Sequence, residues 1–514
     1  MSAIEPAVEP SVKPPIGQAG QTAPGDSLRK RALRASVWML AARPVGMSVQ
    51  LVRSLILTRL LFPEAFGLMA IVGAVTQAVN MCSDMGLGPS IIQNPRGKEE
   101  RFLCTAWTIQ VLRGVVLWLL CVTLAWPLSW IYGEPMLKWL LPVAGLSVFI
   151  GGFNTTAWQT ANRDLAIGRV TLLAHGIDIT TTAILIGIAW WLRSVWALVI
   201  SSLVSGLLHV VLGHLILPGV RHRFAWDRAA ARELVGFGKW VFVSTLLTLL
   251  AMQSDKLMLG GLITTKVLGI YSIALVLAAL PRTLVQQFSG TVLFPALSER
   301  YRQDPRRMHV QVKRARGVLL RIGLLLTLGA AAIGPAFFHY LYDPRYWAAG
   351  WMVQFLAFSM WMTMLNTTTG YSLLSLGDSR GVAIGNAVNV VVTVAAALLG
   401  HFWFGLSGFI VGYGLGTGAG EVYQGVVLRR RGIGVLRQDL KFTCVAAAGG
   451  AGLLAVYLAE RGENWTSMPW VSGVLGLAVW AVVAGVFWPS LRRELPERMH
   501  LSKWLGGRRK VASA

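Results

Sequence analysis

Long apolar runs recur along almost the entire chain, and this pattern restricts the fold more than any other feature of the sequence. Each run is close to the length of about twenty residues that an α-helix needs to cross the hydrocarbon core of a bilayer. The runs cover 34–60, 65–92, 103–126, 138–160, 168–192, 195–217, 234–258, 268–294, 318–340, 350–374, 382–400, 405–428, 442–459 and 470–488. They predict an all-α polytopic membrane protein with about fourteen transmembrane helices.

The composition agrees with a chain that uses lipid as its apolar solvent. Hydrophobic residues make up 54% of the sequence and charged residues only 14%, whereas a soluble domain carries about 25% charged residues. A soluble protein of this composition would expose large apolar patches to water. The sequence therefore excludes an ordinary soluble enzyme.

The basic residues are concentrated on one side of the predicted membrane topology. The formal net charge is +24, and an even number of helices places both tails on the same side as the loops 94–102, 218–233, 296–317 and 429–441. The densest of these loops contains Arg300, Arg302, Arg306, Arg307, Lys313, Arg314 and Arg316. Because positively charged loops remain in the cytoplasm, we expect a multi-pass membrane protein with both termini cytoplasmic, and no nucleic-acid partner.

Two pairs of similar segments indicate an internal repeat. Leu57–Leu68 resembles Leu259–Ile270, with Gly67 and Gly269 at corresponding positions, and the Asn-Thr-Thr of 154–156 recurs at 366–368. Parallel repeats are a transporter architecture with the binding site between the halves, although chance similarity between apolar helices is the alternative. The predicted organisation is a disordered cytoplasmic tail (1–33), a six-helix lobe (34–218), a basic linker (219–233), a second six-helix lobe (234–428), two further helices (429–488) and a basic cytoplasmic tail (489–514).

Arginines lie inside the predicted spans, where a cation costs about 2.5–3.5 kcal/mol on insertion scales. Such residues are candidates for a cavity that binds an anion, since the planar guanidinium pairs well with phosphate. The predicted substrate-binding cations are Arg43, Arg53, Arg113 and Arg282, and the predicted polar lining is Gln77, Asn80, Asp84 and Gln286. The alternative is structural pairing between helices, for example of Arg43 or Arg53 with Asp84.

Acidic and histidine side chains inside the spans are candidates for ion coupling. They are Asp84, His175, Asp178 and Asp255, and a histidine titrates near physiological pH. Coupling to a proton or sodium gradient is one interpretation of these residues, while mutual satisfaction of buried polar groups is the more frequent one. The sequence contains no catalytic signature, no metal-ligand spacing and no sign of a bound cofactor.

A glycine repeats at every fourth position late in the chain, at Gly408, Gly412, Gly416 and Gly420. The segment resembles a nucleotide-binding loop only loosely, because no strand precedes it and the run is apolar. Close packing against a neighbouring helix is the preferred interpretation.

Several motifs are similar to those of a known family. They are Leu57–Leu68 (LTRLLFPEAFGL), Ser83–Gly88 (SDMGLG), Ile91–Gln93, Ser254–Gly260 (SDKLMLG), Leu268–Ser272 and Leu293–Ser298. These motifs resemble bacterial polysaccharide transporters of the Wzx type, in the multidrug/oligosaccharidyl-lipid/polysaccharide flippase superfamily. The resemblance covers residues 50–310 and is weak beyond them.

The resemblance implies a transporter that exposes a central cavity alternately to each side of the membrane. The implied cargo is a polyprenyl-diphosphate-linked oligosaccharide, with membrane lipids, a polysaccharide polymerase and a chain-length regulator as partners. No catalytic residue is carried over. A lipid II flippase or a multidrug/ion antiporter of the same superfamily is one alternative, and a membrane-bound polysaccharide polymerase or ligase is an alternative of another class.

Overall fold

The structure is a computed structural model that describes residues 44–82, 88, 90–91, 94, 96–163, 167–234, 253–303, 308–462 and 470–494. Regular structure in these segments is helical. Seven of the helices are long and apolar enough to cross a membrane, and an eighth span is a bent pair of helices. The prediction of an all-α, multi-pass membrane protein is therefore confirmed, while the total number of spans stays a prediction.

The first half of the chain consists of helices α1 to α8. They are α1 (44–60), α2 (Pro63–Cys82), α3 (Glu100–Ile131), α4 (Leu137–Gly152), α5 (Ala157–Arg163), α6 (Ile167–Leu192), α7 (Trp196–Ile216) and α8 (228–234). Pro63 occupies the first turn of α2, where its missing N–H leaves no hydrogen bond unmade. The loop between α1 and α2 is consequently very short.

The second half, with the two C-terminal helices, consists of α9 to α17. They are α9 (253–262), α10 (Thr265–Ala278), α11 (Leu280–Phe288), α12 (Phe294–Gln303), α13 (Met308–Leu341), α14 (Ala349–Ser375), α15 (Ser379–Arg430), α16 (Leu436–Gly462) and α17 (Trp470–Glu494). Thr264 caps the start of α10 by accepting the backbone N–H of Val267, as expected for a threonine at this position.

The prediction of one continuous helix over 138–160 is wrong, because the backbone leaves the helix at Phe153 and resumes at Ala157. The amide of Gln110 on α3 donates to the carbonyls of Gly151, Gly152 and Asn154 at 3.1–3.2 Å. These contacts satisfy carbonyl groups that the end of a helix leaves without a partner. A tertiary contact therefore stabilises the break.

The predicted span over 268–294 is a bent pair of helices. α10 ends at Ala278, and the segment Leu280–Gln303 continues at an angle of 44°. Pro281 lies in the first turn of α11, and Ser289–Leu293 forms one π-helical stretch before α12. Proline and π-helical turns are the usual causes of such bends.

The glycine repeat packs one arm of α15 against the other, as the sequence predicts. The backbone reverses at Gly405, where φ is +61° and the left-handed region favours glycine. A Cβ atom at Gly408 or Gly412 would lie 2.0–2.1 Å from a carbonyl oxygen of the opposite arm, and one at Gly416 would lie 2.3 Å from the Cα of Thr393. The two predicted spans 382–400 and 405–428 thus form a close hairpin.

The two halves meet where α2 and α10 begin, through a reciprocal glycine contact. A Cβ at Gly67 would lie 1.8 Å from the carbonyl oxygen of Thr265, and a Cβ at Gly269 would lie 1.9 Å from that of Pro63. Each glycine therefore admits the backbone of the other half. The same two glycines occupy corresponding positions in the internal repeat.

Tyrosines strengthen this contact at the same end of the molecule, which we call the joined end. The hydroxyl of Tyr346 donates to the carbonyl of Leu61 at 2.9 Å, that of Tyr342 donates to Ser54 Oγ at 3.2 Å, and that of Tyr132 donates to the carbonyl of Leu257 at 3.2 Å. A single apolar core, which includes Leu61, Leu268 and Phe338, continues across the two halves here.

The opposite end of the molecule, which we call the basic end, carries the loops rich in arginine and lysine. Among the described residues, its ion pairs lie within each half. Arg96 contacts Asp227 and Glu233 in the first half, and Arg316 contacts Glu421 and Asp439 in the second.

Candidate functional site

A polar cavity of about 200 Å³ lies in the second half, close to the joined end. Helices α9, α10, α11, α14 and α15 surround it. Its polar lining consists of Gln253, Asp255, Lys256, Tyr271, Arg282, Thr283, Ser359 and Tyr413. Two predicted site residues, Arg282 and Asp255, therefore share one cavity.

Asp255 is almost completely buried in the wall of this cavity, with 6% of the residue exposed. Its Oδ2 accepts a hydrogen bond from the hydroxyl of Tyr271 at 3.0 Å, while its Oδ1 has no hydrogen-bond partner among the described residues. A buried carboxylate oxygen without a donor is rare. Asp255 is thus positioned to accept a further donor or a cation.

The two cations of the cavity are less buried. Lys256 donates to Gln253 Oε1 at 3.5 Å, and Arg282 is partly buried on α11 and forms no salt bridge within the described part of the chain. The charges of Asp255, Lys256 and Arg282 sum to +1. The cavity can therefore accommodate an anionic group.

A second polar group joins α1 to α6 in the first half. Arg53 interacts electrostatically with Asp178, and Asp178 Oδ2 lies 3.9 Å from His175 Nδ1. The imidazole of His175 lies against Gly46, where a Cβ would approach the ring to 3.2 Å. Two predicted site residues, His175 and Asp178, therefore lie together, and Asp178 acts electrostatically on Arg53.

The remaining predicted site residues are distributed over the surface of the first half and of α11. Arg113 on α3 donates to the carbonyl of Asn80 at 2.7 Å, which ties α3 to α2. Gln77 and Gln286 are exposed. Arg43 and Asp84 lie outside the described residues.

The sequence analysis missed a completely buried arginine. Arg316 belongs to the basic segment 296–317 and is interpreted there as a loop cation, but it is fully buried in α13 between Glu421 and Asp439. A usable signal is present in the sequence, since Glu421 lies inside an apolar span and requires a partner.

A neutral histidine connects the segment between α7 and α8 to the break after α4. The backbone N–H of Thr156 donates to Nε2 of His222 at 3.2 Å, so this nitrogen is an acceptor. Burial, with a smaller contribution from His214, lowers the pKa of His222 to about 4. The ring is therefore neutral at pH 7 and holds the connecting segment in place.

The bent helices, the two halves joined at one end and the cationic cavity within the span define a polytopic transporter of the flippase type. The chain belongs to the family of polysaccharide biosynthesis proteins, whose sequence profile matches residues 56–368. The predicted resemblance to Wzx-type transporters and the assignment as a transporter rather than an enzyme are confirmed.

Relatives that are named for a polysaccharide pathway are similar to this chain over part of its length. The amylovoran biosynthesis protein AmsL of Erwinia amylovora is 23% identical over 318 residues, which cover 60% of this chain and 80% of AmsL. The lipopolysaccharide biosynthesis protein WzxC of Escherichia coli K12 is 21% identical over 318 residues, which cover 60% of this chain and 63% of WzxC.

Solved structures show the same fold at lower sequence identity. The lipid II flippase MurJ, in an inward closed conformation, superposes with a TM-score of 0.64 at 11% identity and covers 90% of this chain and all of MurJ. An inward-facing multidrug transporter of the MATE family superposes with a TM-score of 0.59 at 14% identity, covering 76% of this chain and 96% of the transporter.

Proposed function

We propose that the protein is a flippase that moves polyprenyl-diphosphate-linked oligosaccharide units from the cytoplasmic to the periplasmic leaflet of the bacterial inner membrane. The observation that carries this proposal is Arg282, a partly buried guanidinium without a carboxylate partner in the described part of the chain, in a polar cavity. The family match and relatives named for polysaccharide biosynthesis support it.

The chemistry of this cargo fits a cationic cavity. A sugar chain with a diphosphate group does not cross hydrocarbon unaided, because its polar groups would lose their hydrogen bonds to water. Arginine offers paired hydrogen bonds to phosphate oxygens, and Arg282 with Lys256 supplies the positive charge. In this proposal Arg43, Arg53 and Arg113 extend the cationic route, and the polyprenyl chain remains among the membrane lipids.

Transport proceeds by alternating access of the cavity to the two sides of the membrane. The two six-helix lobes (34–218 and 234–428) move relative to each other, and the helices of 429–488 complete about fourteen spans with both termini in the cytoplasm. In this proposal the joined end is the periplasmic end of the molecule. Proton or sodium binding at Asp255, and at the group formed by His175 and Asp178, provides the coupling.

The proposal is tested with the full-length protein in liposomes that contain a fluorescent polyprenyl-diphosphate oligosaccharide. A membrane-impermeant oxidant that destroys only the sugars on the outer face reports translocation. We expect the wild type to expose the entire lipid pool, and Arg282→Ala to reduce the initial rate at least tenfold. Arg223→Ala removes an exposed arginine that pairs with Glu100 at the surface and should leave the rate unchanged.

Two results would contradict the proposal. One is an unchanged rate in Arg282→Ala with correctly inserted protein. The other is faster movement of lipid II than of lipid-linked oligosaccharides in the same vesicles, which would favour the lipid II alternative. A polymerase or ligase would instead produce longer glycans in this assay.

A further inference from the structure

The buried cluster formed by Arg316, Glu421 and Asp439 contains one basic side chain and two acidic side chains. The side chain of Arg316 is 0% exposed, and those of Glu421 and Asp439 are 5% and 6% exposed. If both carboxylates were ionised, the cluster would carry a net charge of −1 away from water. An uncompensated buried charge is strongly destabilising, so one further positive charge is required.

Arg316 supplies only one positive charge, and four of its five N–H donors are committed to groups on α14, α15 and α16. It donates from Nε to Thr368 Oγ1 (3.0 Å), from Nη2 to the carbonyl of Leu365 (3.2 Å) and to Glu421 Oε1 (3.0 Å), and from Nη1 to Asp439 Oδ1. The hydroxyl of Thr369 adds a second donor to Glu421 Oε1 at 2.8 Å. One oxygen of each carboxylate is thereby satisfied.

The other two oxygens are the unexplained feature. Glu421 Oε2 and Asp439 Oδ2 are buried and have no hydrogen-bond partner among the described residues. The two carboxyl groups lie next to each other, because both accept from the one guanidinium of Arg316, Glu421 Oε1 from Nη2 and Asp439 Oδ1 from Nη1. Two carboxylate oxygens are both acceptors, and a hydrogen bond between them exists only when one of them carries a proton.

We infer that Glu421 and Asp439 form a binding site for a single proton, which the folded protein holds at neutral pH. The bound proton reduces the net charge of the cluster from −1 to 0. It also supplies the donor that the two orphaned oxygens lack. This site is separate from the cavity that contains Arg282 and Asp255, and it does not depend on the identity of the transported lipid.

The surroundings assign the proton to Glu421. Asp439 lies in the first turn of α16, where the helix dipole and the free N–H groups favour a negative charge, whereas Glu421 lies within α15. The neighbours from α14, Thr368 and Thr369, are neutral. Arg316 and Asp439 are the charged groups that act on Glu421 within the described part of the chain.

The proton has a structural consequence for the C-terminal helices. Asp439 belongs to α16, whereas the other members of the cluster belong to α13, α14 and α15. With the proton bound, a hydrogen bond joins Glu421 to Asp439 and fastens α16 to the rest of the second half. Without it, two negative charges face each other over one guanidinium, and the attachment of α16 weakens.

The site is tested by infrared difference spectroscopy on the purified full-length protein. We expect the wild type at pH 7 to show the carbonyl stretch of a protonated carboxyl group that is retained in D2O with its isotope shift. Glu421→Gln and Asp439→Asn should each lose this band. Glu299→Gln, which changes an exposed glutamate of the same half, should retain it.

Thermal unfolding provides an independent measurement. The folded protein binds one more proton than the unfolded chain near neutral pH, so its stability should fall as the pH rises. Glu421→Gln presents an N–H donor to Asp439 in place of the proton and should abolish this dependence. Absence of the band in the wild type would overturn the inference, as would stabilisation by sodium over choline at equal ionic strength, which would assign the site to a metal cation.

Discussion

The joined end and the basic end of the molecule are stabilised in different ways. At the joined end, Gly67 and Gly269 bring the backbones of the two halves together, and buried tyrosine hydroxyls donate across the boundary. At the basic end, the ion clusters of Arg96 and Arg316 tie together helices of the same half. The ion pairs of the basic end therefore maintain each half as a unit. The halves are held together by close packing, by tyrosine hydrogen bonds and by two arginine contacts, from Arg59 to the carbonyl of Leu341 and from Arg345 to the ring of Phe62.

The largest effect is expected from Arg316→Ala, because it leaves two buried carboxyl groups without their cation. Removing one partner of a buried ion pair costs about 3–5 kcal/mol. The measurement is the yield and melting temperature of monodisperse protein in detergent. Arg314→Ala, an exposed arginine on the same helix, is the matched control and should behave like the wild type. Equal yields and melting temperatures for both variants would show that the ion cluster of Arg316 does not stabilise the second half.

Gly67→Ala should separate the two halves without unfolding either of them. Its Cβ would lie 1.8 Å from the carbonyl oxygen of Thr265, and relieving such a clash costs about 1–3 kcal/mol. We expect labelling of a cysteine introduced at Leu268 to increase in membranes. Gly73→Ala on the same helix meets no atom within 4 Å and should not change the labelling. Unchanged labelling in Gly67→Ala would show that the halves are not held by this contact.

Acidification should loosen the first half at the basic end. The pKa of His222 is lowered to about 4, below the usual value of about 6.5, so the unfolded chain binds the proton more readily. Stability is complete above about pH 6.5 and falls as the pH decreases toward 4. Protonation of Nε2 would remove the acceptor for the N–H of Thr156.

The measurement for this effect is hydrogen exchange in the segment 218–227 at pH 7 and pH 5. His222→Gln can keep an acceptor for Thr156 and has no titration in this range, so its protection from exchange, relative to the intrinsic rate at each pH, should be the same at pH 7 and pH 5. An identical acid response in His222→Gln would assign the effect to another group. The effect should be modest, because the ring is only partly buried.

Tyr346→Phe should have the smallest effect on the joined end. The substitution removes one hydrogen bond of 2.9 Å to the carbonyl of Leu61 and keeps the ring, so we expect a loss of about 1 kcal/mol in the free energy of unfolding. Tyr340→Phe removes an exposed hydroxyl and serves as the control. If Tyr346→Phe lowered the free energy of unfolding as much as Arg316→Ala, single contacts at the joined end would stabilise the protein as strongly as the ion cluster at the basic end.

Periodicity and charge in the sequence are sufficient to predict the helical membrane fold and the close packing along Gly408, Gly412 and Gly416. They do not predict the interruption at Phe153 or the bend after Ala278. The interruption depends on a side chain from another helix, Gln110, whereas the bend lies beside Pro281, whose position alone does not give its angle. A single apolar run contains no information about such partners.

The charged residues of the molecule likewise include some that the sequence identifies and one that it does not. The sequence identifies Arg282 and Asp255 because charged residues are rare within apolar spans, and the structure places both in one cavity. It does not identify Arg316, because this residue follows several exposed basic residues and is classified with them. Its partners Glu421 and Asp439 lie more than a hundred residues further along the chain, and only the fold brings them to it.

The hairpin of α15 bears on how the chain enters the membrane during its synthesis. Phe402, Trp403 and Phe404 at its tip are all strongly exposed, and aromatic rings of this kind prefer the interface between lipid and water. The two arms are closely apposed along their length, and the bond between Asn389 and Thr393 lies at this contact. The arms can therefore insert as a pair that shields Asn389 and Thr393 from lipid, whereas Glu421 acquires its partner Arg316 only when α13 joins them.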